Sequence, residues 1–214
     1  MCVIWRTILC SLCLVIMWPA AAQVFDENQD YTLILPEPTQ GKPGDKIEVI
    51  EFFMHGCSHC FRFEPELEAW LQTKPADVEF VRVPALFGRH FDLHAKVYYA
   101  LQSLGLAESL HHAWFEEIHV KGNGLETREA INRFLQAHDV DLTQFDQAMQ
   151  SFSVQVKLNR ANTLLRRYDI RSVPNIVVDG RYKNVRGLSH PEMLLLLDDL
   201  LAKVRQQRQD EAGD

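Results

Sequence analysis

Apolar and polar positions follow two different periods along this chain, and the switches between them mark its elements. "YTLIL" (Tyr31 to Leu35) reads as a short strand, followed by a Pro/Gly-rich connector from Pro36 to Asp45. "IEVIEFF" (Ile47 to Phe53) is a near-continuous apolar run interrupted by Glu48 and Glu51, the pattern of a strand buried on both faces. From Cys60 to Gln72 the spacing turns helical through Phe63, Leu67, Trp70 and Leu71, with Pro65 expected to kink the helix or offset its first turn. "VEFVRVP" (Val78 to Pro84) is a second buried-type strand. Strand, helix, strand in this order is a βαβ unit, whose right-handed crossover makes the two strands parallel.

A long helical stretch follows. "HFDLHAKVYYALQSLG" ends in Gly105 and "AESLHHAWFEEIHVKG" ends in Gly122. "TREAINRFLQAH" opens on Thr127 with Ala130 in the third place, half of a capping box, and helical periodicity then continues to Tyr168. The β pattern returns in "NIVVDGRYKNV", two short runs around the hairpin signal Asp179-Gly180. Ser189-His190-Pro191-Glu192 is a capping box with proline in the first turn, opening a helix through about Lys203. The order is therefore β, β, α, β, four or five helices, then β, β, α. This is an α/β protein: a thioredoxin fold, a mixed sheet flanked by helices, with an inserted all-helical domain. The expected boundaries are 23–88 and 161–205 for the two parts of the thioredoxin fold, 89–160 for the insertion and 206–214 for a frayed, charged tail.

The N-terminus does not fit this pattern. Arg6, the apolar run Ile8 to Trp18 and the small residues Ala20, Ala21 and Ala22 form secretory-signal grammar, with cleavage expected after Ala22. The run is shorter than the roughly 20 residues a membrane anchor needs. Cleavage removes Cys2, Cys10 and Cys13 and leaves Cys57 and Cys60 in an oxidising compartment. The formal charge is -7, and -8 once Arg6 is lost, so nucleic acid is not an expected partner.

Cys57 and Cys60 stand in "HGCSHC". As a structural disulfide they would close a tiny loop and stabilise little. As a metal site, His55, Cys57, His59 and Cys60 have suitable chemistry, with His90 and His94 at i, i+4 nearby, but alternate residues at a helix start converge poorly on one ion. Haem attachment would need histidine where Phe61 stands. As a redox dithiol the position is favourable, because Cys57 leaves a buried strand at the start of a helix, where free N–H groups and the dipole stabilise a thiolate. Ser58 and His59 add a hydroxyl and an imidazole, and Cys60, one turn along, is the expected resolving thiol. No cofactor and no metal are then required. In a thioredoxin fold, "IRSVPNIVVDG" faces the dithiol, and a cis Val173-Pro174 bond there would leave strand-edge groups free for an extended substrate.

"EFFMHGCSHCFRFEPEL", the helical insert, "SVPNIVVDGRY" and the closing helix together resemble a periplasmic thiol:disulfide oxidoreductase of the DsbA type, over about residues 30 to 205. The resemblance implies donation of disulfides to reduced cysteine pairs of exported proteins in the periplasm. It also implies reoxidation by a quinone-linked membrane partner of the DsbB type; a monomer is expected. Cys57 matches the nucleophile, Cys60 the resolving cysteine, Ser58-His59 the variable dipeptide and Val173-Pro174 the cis-proline loop. Glu51, six before Cys57, matches an acidic residue near the resolving sulfur; buried, it would have a raised pKa and could pass a proton to Cys60. Its other reading is a strand glutamate reaching solvent. Glu64 matches a charged position, which a solvated helix face explains equally well. Phe53, Phe61 and Phe63 read as core. The dipeptide most familiar in the family is Pro-His, and serine here removes stiffness and adds a hydroxyl, which can move the potential either way. The alternatives are a disulfide isomerase or reductase, and a soft-metal (copper or zinc) carrier. The segment from Gln23 to Lys46 is too short for an added dimerisation domain, which tells against the isomerase.

Overall fold

The computed structural model describes residues 25–35, 44–185 and 187–212; the expected leader, most of the connector and the last two residues lie outside them. Five strands form one sheet in the order β1-β5-β4-β2-β3. These are β1 (Tyr31–Leu33), β2 (Ile47–Phe53), β3 (Val78–Pro84), β4 (Asn175–Val178) and β5 (Tyr182–Asn184). β2 and β3 are parallel, as the βαβ rule requires, and the remaining pairs are antiparallel. α1 (Ser58–Thr73) makes the crossover, and it passes through Pro65 without ending. Between β3 and β4 come α2 (Arg89–Ser103), α3 (Ala107–His119), α4 (Arg128–Ala137), α5 (Leu142–Met149) and α6 (Phe152–Arg167). Helix α6 runs across residue 160, where the sequence places the end of the insertion. α7 (His190–Ala212) closes the chain.

The apolar runs of β2 and β3 are explained by two cores, one on each face of the sheet. Ile50, Phe52, Val83 and Val177 pack against the inserted helices, with Tyr98, Trp114 and Phe115. Ile47, Val49, Val78 and Val178 pack against Phe63 and Leu67 of α1 and Leu196, Leu197, Leu200 and Leu201 of α7. A strand covered on both faces cannot alternate apolar with polar, so each polar residue inside one needs a partner.

The frayed tail is corrected. Helix α7 continues to Ala212 because Arg208, buried near its end, donates to the Asp45 carbonyl and to the Asp179 carboxylate, both at 2.7 Å. Its start is the expected capping box. The Ser189 N–H donates to Glu192 Oε2 at 2.7 Å and the Glu192 N–H to Ser189 Oγ at 3.4 Å. Ser189→Ala is expected to cost about 1 kcal/mol, measured by urea unfolding. No helix among the described residues is long and apolar enough to cross a membrane.

Candidate active site

Strand β2 ends at Phe53, and the chain turns through Met54–Cys57, closed by the Cys57 N–H donating to the Met54 carbonyl at 3.0 Å. That turn leaves Cys57 extended (φ -91°, ψ 114°) as the N-cap of α1. Its Sγ takes the place that a serine or aspartate oxygen fills at ordinary caps, accepting from the Cys60 N–H at 3.3 Å. Both cysteines are free thiols; Cys57 is half-buried and Cys60 fully buried. The hydrogen bond from the Cys60 thiol is the strongest influence on Cys57. Burial opposes it, the N–H groups of Cys60 and His59 and the charge of His59 assist it, and the pKa is held down to about 6. Burial first, then the bond and charge of Cys57, push Cys60 far up. The arrangement separates the two thiols into one that ionises near neutral pH and one that stays protonated.

Ser58 and His59 are exposed on the first turn, with Arg62 Nη2 3.2 Å from His59 Nδ1. The Val173–Pro174 bond is cis, and the Val173 carbonyl lies 3.6 Å from Cys57 Sγ. Beside it opens a pocket of about 310 Å³ lined by His59, Val173, Pro174, Leu188, His190 and Met193. Of the three aromatics, Phe53 and Phe63 are core, whereas Phe61 is half-buried beside the dithiol and stacks on His119.

Glu51 is 0% exposed, not a strand glutamate reaching solvent. Its register partner on β3 is Arg82, with Arg82 Nε 3.2 Å from Glu51 Oε2. The contact is ionic and poorly aligned, and neither Glu51 oxygen receives a hydrogen bond. Burial and the neighbouring Glu64 charge, opposed by Arg82, push the Glu51 carboxyl up to about 8. Glu51 is also close enough to Cys60 for its charge to help raise that thiol.

Glu64 is a correction. A solvated helix face does not account for it, because the residue is 2% exposed. It faces Arg82 Nη2 at 3.3 Å and His111 Nε2 at 3.2 Å. Burial alone would raise its carboxyl, but His111 and then Arg82 outweigh it and hold the pKa below the ordinary value. Arg82, which sequence reasoning missed, also reaches Glu68, and Glu108 at 2.6 Å. The missed signal was a cation in the middle of a strand buried on both faces. Among the described residues no group of three or more potential ligands could hold a metal. His94 instead bonds the Leu125 carbonyl at 3.1 Å.

A C-x-x-C dithiol at a helix N-cap, facing a cis-proline loop on a thioredoxin sheet, defines a thiol:disulfide oxidoreductase. The family described as DSBA-like thioredoxin domain matches residues 91–197. The thiol:disulfide interchange protein DsbA of Burkholderia cepacia is 39% identical, over 81% of this chain and 82% of that protein. Its counterpart in Pseudomonas aeruginosa is 36% identical, over 85% and 86%. The crystal structure of Pseudomonas aeruginosa DsbA superposes with a TM-score of 0.79 at 35% identity, over 86% of this chain and 97% of that one. The chain belongs to the DsbA family and is a thiol:disulfide oxidoreductase acting on cysteine-containing proteins.

Proposed function

We propose that Cys57 is the attacked sulfur and Cys60 the resolving one in disulfide donation to reduced cysteine pairs of exported proteins. A substrate thiolate attacks Cys57 Sγ; the Cys57–Cys60 bond breaks as a substrate–Cys57 disulfide forms, and the Cys60 sulfur leaves carrying the electron pair. Glu51, protonated at neutral pH because it is buried, is placed to give Cys60 its proton. The second substrate thiol loses its proton to solvent and attacks the substrate sulfur. The substrate disulfide forms and Cys57 leaves as a thiolate held by the helix N-cap. Ser58 and His59 border the sulfur, and the backbone around Val173 and Pro174 pairs with the extended substrate. The single observation that carries this reading is the Cys57 sulfur capping α1, because a stabilised leaving thiolate makes the disulfide an oxidant.

The same reading places the protein in the periplasm after loss of residues 1–22, working as a monomer and reoxidised by a DsbB-type quinone-linked membrane protein. The test is ultraviolet titration of the reduced protein together with equilibration against glutathione. A thiolate titrating near pH 6 and a potential above the roughly -270 mV of a reductase are expected; a pKa of about 8.5, or a potential of about -270 mV, would make it a reductase or overturn the assignment.

The thiolate also ties stability to pH. The folded Cys57 pKa of about 6 lies below the unfolded value of about 8.5, so the stability it adds to the reduced form is complete above about pH 8.5. That stability is lost as pH falls through 6. The difference of about 2.5 pKa units corresponds to about 3.4 kcal/mol, which exposure of the half-buried sulfur cuts to about 2 kcal/mol. Glu51 acts with the opposite sign, since its raised pKa loses stability as pH rises through about 8. It is present in both redox forms, so below about pH 8, where the Cys60 thiol is protonated folded and unfolded alike, the difference between reduced and oxidised stabilities reports Cys57. Paired urea unfolding of the two forms from pH 5 to 8 is expected to show the reduced form gaining once the pH passes 6.

A further inference from the structure

A run of buried and half-buried polar contacts between the dithiol and the inserted helices is unused by this chemistry. His55 is 5% exposed at the corner of the Met54–Cys57 turn. Its Nε2 pairs with His111 Nδ1 at 3.2 Å, and its carbonyl accepts from His119 Nε2 at 2.7 Å. Both partners lie on α3. His111 Nε2 in turn faces the buried Glu64 carboxylate at 3.2 Å. The two facing nitrogens share one proton between the rings, and the Glu64 carboxylate lies against the other side of His111.

The imidazole pair is packed among Phe53, Tyr98 and Phe115, with ring centroids 5.0 to 6.2 Å from His111 and 4.9 to 6.1 Å from His55. Apolar rings would fill that space with less desolvation cost, so packing gives no reason for two histidines. Their geometry does. His55 sits two residues before Cys57, and the stacked Phe61–His119 pair (5.0 Å between centroids, 13° between planes) grips the residue after Cys60.

We propose that His111 and His119 are positioning residues for disulfide exchange, holding the ring and carbonyl of His55 from α3 and so keeping the turn that seats Cys57 at the N-cap of α1. A loosened turn lets Cys57 Sγ move off the Cys60 N–H and the helix end. The thiolate then loses donors with no group near the sulfur having been changed. The inference rests on the reading of Cys57 as the attacked sulfur.

Three variants of the full chain test it. His119→Phe keeps the ring and its stacking but removes the donor to the His55 carbonyl. His111→Phe keeps the ring contacts and removes both nitrogens. Ultraviolet titration of Cys57 is expected to show a pKa raised by about one unit in each, a tenfold change against glutathione, or about 30 mV. His111→Gln, whose amide can donate to Glu64 and accept from His55, is expected to restore most of the shift. Variants that melt lower yet titrate like the parent overturn the proposal. Should His111→Phe not fold, an unchanged titration in His119→Phe overturns it alone. A parent protein titrating near about 8.5 overturns the assignment of Cys57 itself, and this inference with it.

Discussion

Cys57→Ala is expected to abolish disulfide donation, leaving a reduced two-cysteine peptide to oxidise at its rate without protein. The variant keeps α1, because the cap it removes is worth about 1 kcal/mol, so circular dichroism is expected to show a folded protein with no activity. Cys60→Ala gives a different null. The internal disulfide cannot form, so donation also ceases, but Cys57 stays half-buried at the N-cap, within reach of a disulfide. Challenged with a small aromatic disulfide, this variant is expected to form a stable mixed disulfide on Cys57, visible by mass. The Cys57 pKa is also expected to rise from about 6 towards its ordinary value, because the Cys60 thiol is the largest influence lowering it. The N–H groups of residues 59 and 60 survive the substitution and stop the rise short of that value. A Cys60→Ala protein titrating like the parent would show that the helix end alone stabilises the thiolate. Donation surviving in Cys57→Ala would remove the proposed chemistry altogether.

Local features of this fold were legible because local chemistry decides them. The β2 and β3 limits match the apolar runs, the Ser189–Glu192 box forms, and the Asp179-Gly180 turn has both residues at positive φ (56° and 64°). The tail was misread for the opposite reason. "QQRQDEAGD" is polar, and nothing near it in sequence shows that Arg208 meets Asp45 and Asp179 across the fold. Glu64 was ambiguous on the same ground, since an acidic residue one turn past Cys60 looks solvated until α3 and β3 are laid against it. The His55–His111 contact joins residues 56 apart across the inserted segment, and no periodicity reports such a pair. One missed partnership was readable. Glu51 is fifth in "IEVIEFF" and Arg82 fifth in "VEFVRVP", and parallel strands paired end to end set the two side by side.

That pairing leads to the largest expected stability change. Arg82 is the cation facing the buried carboxyls Glu51 and Glu64, and its outer nitrogens run to Glu68 and Glu108 at the surface. Arg82→Met keeps the length and apolar stem but strands the buried charge, and is expected to cost about 3–5 kcal/mol near pH 8. Glu51 is already drawn towards its neutral form by burial, so the stranded charge is mainly that of Glu64, which Arg82 helps to hold ionised. Two consequences separate this from a packing defect. Lowering the pH lets Glu64 take a proton, so the deficit relative to the parent is expected to shrink towards pH 4, where a packing defect would persist. Arg82→Met combined with Glu64→Gln removes the cation and the charge together, and is expected to recover more than half of the loss by urea unfolding. A pH-independent deficit with no recovery in the double variant would mean that the cluster fills space and carries no electrostatic weight.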